Sequence, residues 1–344
     1  MLNNIKLNPI VISLAALLVA FLGSIAIGPI FITPDTLFRI LVSKLPGTNI
    51  YPYWPESFNT ILLSVRLPHA ALILLTGAAL GGSGAAYQGV FRNPLADPYL
   101  IGVASGAGLG AILAMSIHWP DNLYGMYTIP LAAFLGAISA VILVYSVARL
   151  GSTLPTTSLI LAGVAISSFA TSLTSFLMLR SNQEIRRALG WLLGGGMMNG
   201  WDPVFATLPY ITIGLLILVT AGHALNVLQF GEEQATQLGL PAEKVKAGII
   251  LAASMTTAAA VSFSGIIGFI GLIVPHVVRI FWGPDYQKII PLSIFGGASA
   301  LLIADIIART ILNPQVLPVG IITALAGAPF FLWVLRRQKN QTFW

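Results

Sequence analysis

The sequence predicts an all-α integral membrane protein, about ten transmembrane helices in one domain spanning 1–344, and three observations carry that expectation. Only 8% of the 344 residues are charged and 56% are hydrophobic, with a mean hydropathy of +0.88; soluble domains carry roughly 25% charged residues. The apolar stretches are long and continuous, which favours helices over the alternating strands of about ten residues found in a barrel. Gly77, Gly81, Ala85 and Gly89 recur every four residues along one helix face. Small residues at that spacing let two backbones approach closely where lipid removes the hydrophobic drive between helices. The chain has no Cys, so disulfides and thiolate chemistry are excluded. Its net charge of +6 is spread thinly, a pattern of loop retention in a membrane protein with no nucleic-acid partner.

A helix crossing a ~30 Å hydrocarbon core needs about 20 apolar residues. Such runs lie near 9–32, 58–91, 99–117, 128–148, 156–179, 203–222, 247–264, 266–282, 288–309 and 316–335. The first follows Lys6 and outlasts a signal-peptide core without a clear cleavage site, so it reads as a retained span. Between the first two runs, residues 33–57 hold a short helix with Pro34 at its start and Asp35 in its first turn. Tyr51, Tyr53 and Trp54 beside it suit an interfacial aromatic belt. A polar loop, Arg92–Asp97, joins the second run to the third. Residues 181–202 read as a short amphipathic helix and a Gly-rich turn, serving either as an interfacial connector or as a ligand contact.

The connection 223–246 is divided by Gly231, with Glu232 and Glu233 where a helix N-terminus favours anions. Leu228, Phe230, Leu238 and Leu240 give it an apolar side, which suits two uses: docking a soluble partner or packing on the bundle. Gly265, Gly268, Gly271 and Pro275 mark a kinked or broken helix over 264–284. Asp305 and Arg309 stand four residues apart, in the order that pairs well on one helix face. Intramembrane charges are usually functional; near a span end they also read as a self-satisfying pair. No fixed-period repeat is visible.

Orientation follows from the cations. With the N-terminus inside, Lys6, Arg92, Arg149, Lys244, Lys246, Arg279, Lys288, Arg336, Arg337 and Lys339 are cytoplasmic. Arg39, Lys44, Arg66, Arg180, Arg186, Arg187 and Arg309 then lie outside, and both termini are cytoplasmic. No GxxxxGK[ST] loop occurs, so the chain is not expected to hydrolyse ATP. No HExxH motif, Ser/His/Asp set or paired acids within a span point to an enzyme. His69, His118, His223 and His276 lie far apart in sequence, so no metal site is expected. A proton-coupled carrier would place an acid or His near mid-span, and these spans hold almost none. A translocator powered from elsewhere is the first reading; an ion-gradient-driven secondary transporter is the alternative.

Several blocks carry a resemblance: RLPH (66–69), GAALGGSGAAYQGVFRNPLADPYLIGVASGAGLGA (77–111), LILAGVA (159–165), FGEEQATQLGL (230–240), GFIGLIVPHVVR (268–279), GASALLIADIIAR (297–309) and LPVGIITALAGAPFFLWVLRR (317–337). In order and spacing the chain resembles the FecCD-type permeases of ATP-driven importers for iron–siderophore complexes, haem and cobalamin. The resemblance implies a type II ABC importer permease bundle in the inner membrane, working as a homodimer with the path on its axis. It implies two cytoplasmic ATPase subunits, which hold the ATP and Mg, an extracytoplasmic substrate-binding protein, and no cofactor on this chain. By the same resemblance Arg66, His69 and Arg309 face acids of the binding protein; the family often has Arg where this chain has His69, leaving two cations or a pH-dependent third. Asn93 and Leu95 match one cytoplasmic constriction, and Thr156 and Thr157 the other. Leu228, Phe230, Gly231, Glu232, Glu233, Gln237, Leu238 and Gly239 match the coupling segment seated in the ATPase.

Overall fold

The computed structural model describes residues 8–44, 53–117, 123–149, 151, 154–180, 185–196 and 200–339. Every described element is helical. In chain order these are α1 (Pro9–Ala26), α2 (Pro34–Ser43), α3 (Glu56–Thr60), a π-helical stretch (Ile61–Arg66), α4 (Leu67–Val90), α5 (Val103–Met115), α6 (Leu123–Ala148) and α7 (Thr156–Arg180). After these come α8 (Ile185–Leu192), α9 (Asp202–Thr220), α10 (Gly222–Leu228), α11 (Glu232–Gln237), α12 (Ala242–Ser264), α13 (Ile270–Trp282), α14 (Tyr286–Thr310) and α15 (Val319–Lys339). Each of the ten apolar runs holds a helix. Seven are long and apolar enough to cross a membrane, and α5, α13 and the apolar part of α15 are shorter.

The shorter ones have local causes. Gly102 takes φ +86° and Phe269 φ +70° just before α5 and α13 begin, so loops occupy part of the runs expected at 99–117 and 266–282. The break expected within 264–284 falls at Gly265, φ +77°, where α12 stops. Thirteen residues of α13 rise only about 20 Å.

The inner layer is α4, α12 and α14. From Thr76 to Val90 every residue of α4 is buried. The glycine stripe explains how: a Cβ on Gly77 would stand 2.4 Å from the Gly297 carbonyl oxygen, and one on Gly81 would stand 2.1 Å from that of Ser293. Ala85 is fully buried and Gly89 abuts Leu225 and Tyr286. A second close seam joins α5 to α6, where Gly110 meets the Ala132 carbonyl. The outer helices α1, α6, α7 and α9 expose Val19, Val147, Phe169 and Ile213, the surface a lipid-facing helix needs.

The helix expected after the first span is α2, with Thr33 as its N-cap, Pro34 in its first turn and Asp35 beside it. Tyr53 is exposed and donates to Asp35 at 2.6 Å. Trp54 corrects the aromatic-belt reading: it is buried and donates to Asn59 at 2.9 Å. Tyr51 lies outside the described residues, as do His118, Lys6 and the last residues of the tail. The connector helix is α8. Its Trp191 is buried, and the turn after it donates from Gly196 N–H to the Ser264 carbonyl at 3.2 Å and accepts Gly320 N–H on Leu193 at 3.1 Å. It thus seats on the α12–α13 break and the start of α15 and is no free connector.

Candidate functional site: gate loops, coupling segment and a buried charge cluster

The charge cluster sits where α1 ends against α4 and α14. The last carbonyls of a helix lack intrahelical donors, and cations at that end complement them. Arg66 Nη1 donates to the Ile25 and Ala26 carbonyls at 2.9 Å each, and its Nη2 reaches Ile30. Arg309 donates from Nη2 to the Ser24 carbonyl at 3.1 Å and to Ser24 Oγ at 2.9 Å, and from Nη1 to the Ile27 carbonyl at 3.3 Å. Arg309 also meets Asp305 Oδ2 at 2.8 Å through Nε, while Asp305 Oδ1 lies 2.8 Å from His69 Nε2. Two guanidiniums therefore grip one helix end, and a carboxylate holds the second of them in place.

This corrects the expectation that Arg66 and Arg309 project outward. They are 6% and 8% exposed, and their donors are used by α1 carbonyls. His69 alone of the three keeps partial exposure. The pairing of Asp305 with Arg309 on one helix face stands.

The loop after α4 carries Asn93 and Leu95. Asn93 Oδ1 accepts the Leu95 N–H at 2.9 Å, and Asp97 Oδ1 accepts the Tyr99 N–H at 2.8 Å. Desolvation, opposed by that backbone hydrogen bond, pushes the Asp97 carboxyl up to about 6. Tyr99 Oη donates to the Ile267 carbonyl at 2.9 Å, so this loop clamps the α12–α13 linker, a contact that sequence reasoning missed. Thr156 and Thr157 open α7, the second exposed and the first partly. Among the described residues no hydrogen bond joins the Asn93 loop to these threonines.

The segment expected to couple to an ATPase folds as two short helices, α10 and α11. Gly231 at φ +112° and Gly239 at φ +87° bracket α11; both conformations favour glycine. Glu232 and Glu233 fall in its first turn, and Ala235 is its buried anchor. Phe230 is 69% exposed and Leu238 70%, whereas Leu228 is buried. Leu228 is thus a packing residue, correcting its place on a docking face. Gln237 and Glu233 are exposed.

Three side chains hold this segment to the bundle: Asn226, Gln229 and Lys246. Asn226 Nδ2 donates to Asp285 Oδ1 at 2.7 Å, and Gln229 donates to the Gly89 carbonyl at 3.0 Å. The Asn226 hydrogen bond, first among several causes, holds Asp285 below the usual carboxylate range. The third anchor is Lys246, whose ammonium meets Glu232 Oε1 at 2.6 Å and the Leu154 carbonyl at 2.5 Å. Sequence reasoning counted Lys246 only as a loop cation; its position on the α12 inner face, with Ile249 and Ile250 following, was the available signal. Among the described residues, no group of three His, Cys, Asp or Glu could hold a metal ion.

The FecCD transport family model matches residues 16–337. A cobalamin import system permease protein of Halobacterium salinarum is 44% identical over 285 residues, covering 83% of this chain and 76% of that one. A hemin transport system permease protein of Yersinia pestis is 35% identical over 335 residues, 95% of each chain. A solved structure described as an inward-facing conformation of a metal-chelate type ABC transporter superposes with a TM-score of 0.78 at 27% identity, covering 95% of this chain and 98% of that one.

Proposed function

The chain belongs to the FecCD transport family and is a multi-pass membrane permease subunit of an ATP-binding-cassette importer; from that premise we propose that two copies enclose a path for an iron chelate, haem or cobalamin, moved inward by a partner's ATP hydrolysis. Two cytoplasmic ATPase subunits dock on α11, and an extracytoplasmic binding protein delivers the cargo. The chain sits in the inner membrane with both termini cytoplasmic and binds no cofactor of its own, the ATP and Mg belonging to the ATPase.

One observation carries the docking half of this reading. Phe230 and Leu238, 69% and 70% exposed, stand at either end of α11 among Glu232, Glu233, Gln234 and Gln237. An exposed apolar pair within a polar rim is what a protein interface uses as its anchor. Asn93, Leu95, Thr156 and Thr157 are small or short side chains, suited to a removable seal for a large cargo and ill suited to a specific binding site. Among the described residues, the buried ionic side chains Arg66, Lys246, Asp305 and Arg309 are satisfied internally. Selectivity on this account belongs to the binding protein.

The test is affinity purification from the native membrane. The wild-type chain is expected to carry an ATPase with it, and Leu238→Asp is expected to lose that ATPase while eluting as a folded membrane protein. A wild-type chain that purifies alone, with uptake that collapses when the ion gradient is dissipated, would overturn the proposal in favour of a secondary carrier.

A further inference from the structure

Lys246 is 1% exposed and lies near the start of α12. Burying an ammonium costs several kcal/mol unless geometry and hydrogen bonds compensate, and a Met of similar length would fill the same space without that cost. Its contacts show what the charge does. Nζ reaches Glu232 Oε1 at 2.6 Å, the Leu154 carbonyl at 2.5 Å and Glu243 Oε1 at 3.9 Å. Glu232 opens α11, and Leu154 is buried just ahead of Pro155, whose carbonyl accepts the Leu159 N–H at 3.1 Å to begin α7. One ammonium thus ties together the coupling helix, the body of α12 and the backbone two residues before Thr156.

We propose that Lys246 is a positioning residue that transmits displacement of α11 to the start of α7, and so to the Thr156–Thr157 constriction. The proposal rests on the reading that an ATPase moves α11. Glycines at φ +112° and +87° on either side let α11 move as a unit. Its polar link to the bundle is the Glu232–Lys246 pair, and its apolar link is buried Ala235. Lysine suits this task because its three donors are rotatable: the same ammonium can hold Glu232 and the Leu154 carbonyl while both shift. A backbone acceptor on the far side also means that the pull acts on the main chain at α7, where no side-chain rotation can absorb it.

The experiment reconstitutes the full complex, with ATPase and binding protein, into liposomes and measures uptake per ATP hydrolysed. Lys246→Met keeps the stem and removes the charge. The expected result is a fall in uptake per ATP of about tenfold, equivalent to about 1.4 kcal/mol of lost coupling. Glu232→Gln is expected to lower it in the same direction, and the double variant to be no worse than Lys246→Met alone, because both act through one contact. A merely structural role would lower uptake and hydrolysis together and leave their ratio unchanged. An unchanged ratio in Lys246→Met, or losses that add independently, overturns the proposal. If Lys246→Met does not fold, Glu232→Gln decides by the same ratio. Leu238→Asp separates the two levels: normal ATPase association and uptake in that variant sinks the coupling reading itself, whereas its loss beside a normal Lys246→Met sinks only the strut.

Discussion

Replacing Gly81 by Ala adds one methyl group at the tightest point between α4 and α14. The new Cβ would lie 2.1 Å from the Ser293 carbonyl oxygen and 3.1 Å from its carbon, over 1 Å inside ordinary contact. Both neighbours are main chain, so no rotamer change relieves them. The two helices must part, and the backbones run equally close along the seam, since a Cβ on Gly297 would stand 2.3 Å from the Gly77 carbonyl oxygen. A gap of about 0.5–1 Å forfeits a quarter to a half of the dispersion attraction along the interface. Overpacking costs about 1–3 kcal/mol, and a rigid backbone obstacle puts this case at the upper end. Ala regains about 1 kcal/mol of helix propensity, leaving a net loss of about 2 kcal/mol. Gly248→Ala is the control: it sits within α12 with nothing within 4 Å of its Cβ, so it keeps the gain without the clash. Thermal unfolding in lipid nanodiscs, followed by tryptophan fluorescence, should place Gly81→Ala several degrees below the parent and Gly248→Ala at or above it. Equal melting of the two variants would refute the reasoning that α4 and α14 meet backbone to backbone.

Arg309→Ala leaves Asp305, 2% exposed, with His69 as its remaining partner and frees the α1 carbonyls; a loss of about 3–5 kcal/mol is expected, read as a lowered melting temperature that Asp305→Asn in the same chain partly restores. Asp97 supplies a pH dependence. Its folded value of about 6 stands above its ordinary 3.8, so the folded chain binds the proton more tightly and stability declines as pH rises between those values, then levels off. Asp97→Asn should flatten that decline; a parent melting temperature constant from pH 4 to 6 would contradict it.

How far the sequence speaks for this fold depends on distance along the chain. The four-residue spacing of Gly77, Gly81, Ala85 and Gly89 is local, and the structure uses it as the α4–α14 seam. Pro34, Asp35 and the Asp305–Arg309 spacing are local too, and α2 and the ion pair follow. Arg66 is different. A cation near a span end reads as exposed, and only the return of α1, some forty residues upstream, turns it into a helix cap. Lys246 escaped for the same reason, because its acceptor on Leu154 lies 92 residues away. Leu228 and Trp54 show the limit of amphipathic reasoning: an apolar residue in a polar connection is equally suited to a partner or to its own bundle, and here both face inward. The early stops before α5 and α13 rest on left-handed backbone at Gly102 and Phe269, and a Phe in that conformation has no sequence signature.

The proposed function makes the chain a path with no driving force of its own. Its most direct test places the purified permease in liposomes with labelled ferric chelate, haem or cobalamin, with or without its ATPase, binding protein and ATP. Accumulation inside is predicted only when all three are present, and accumulation by the permease alone under an imposed ion gradient would contradict the claim.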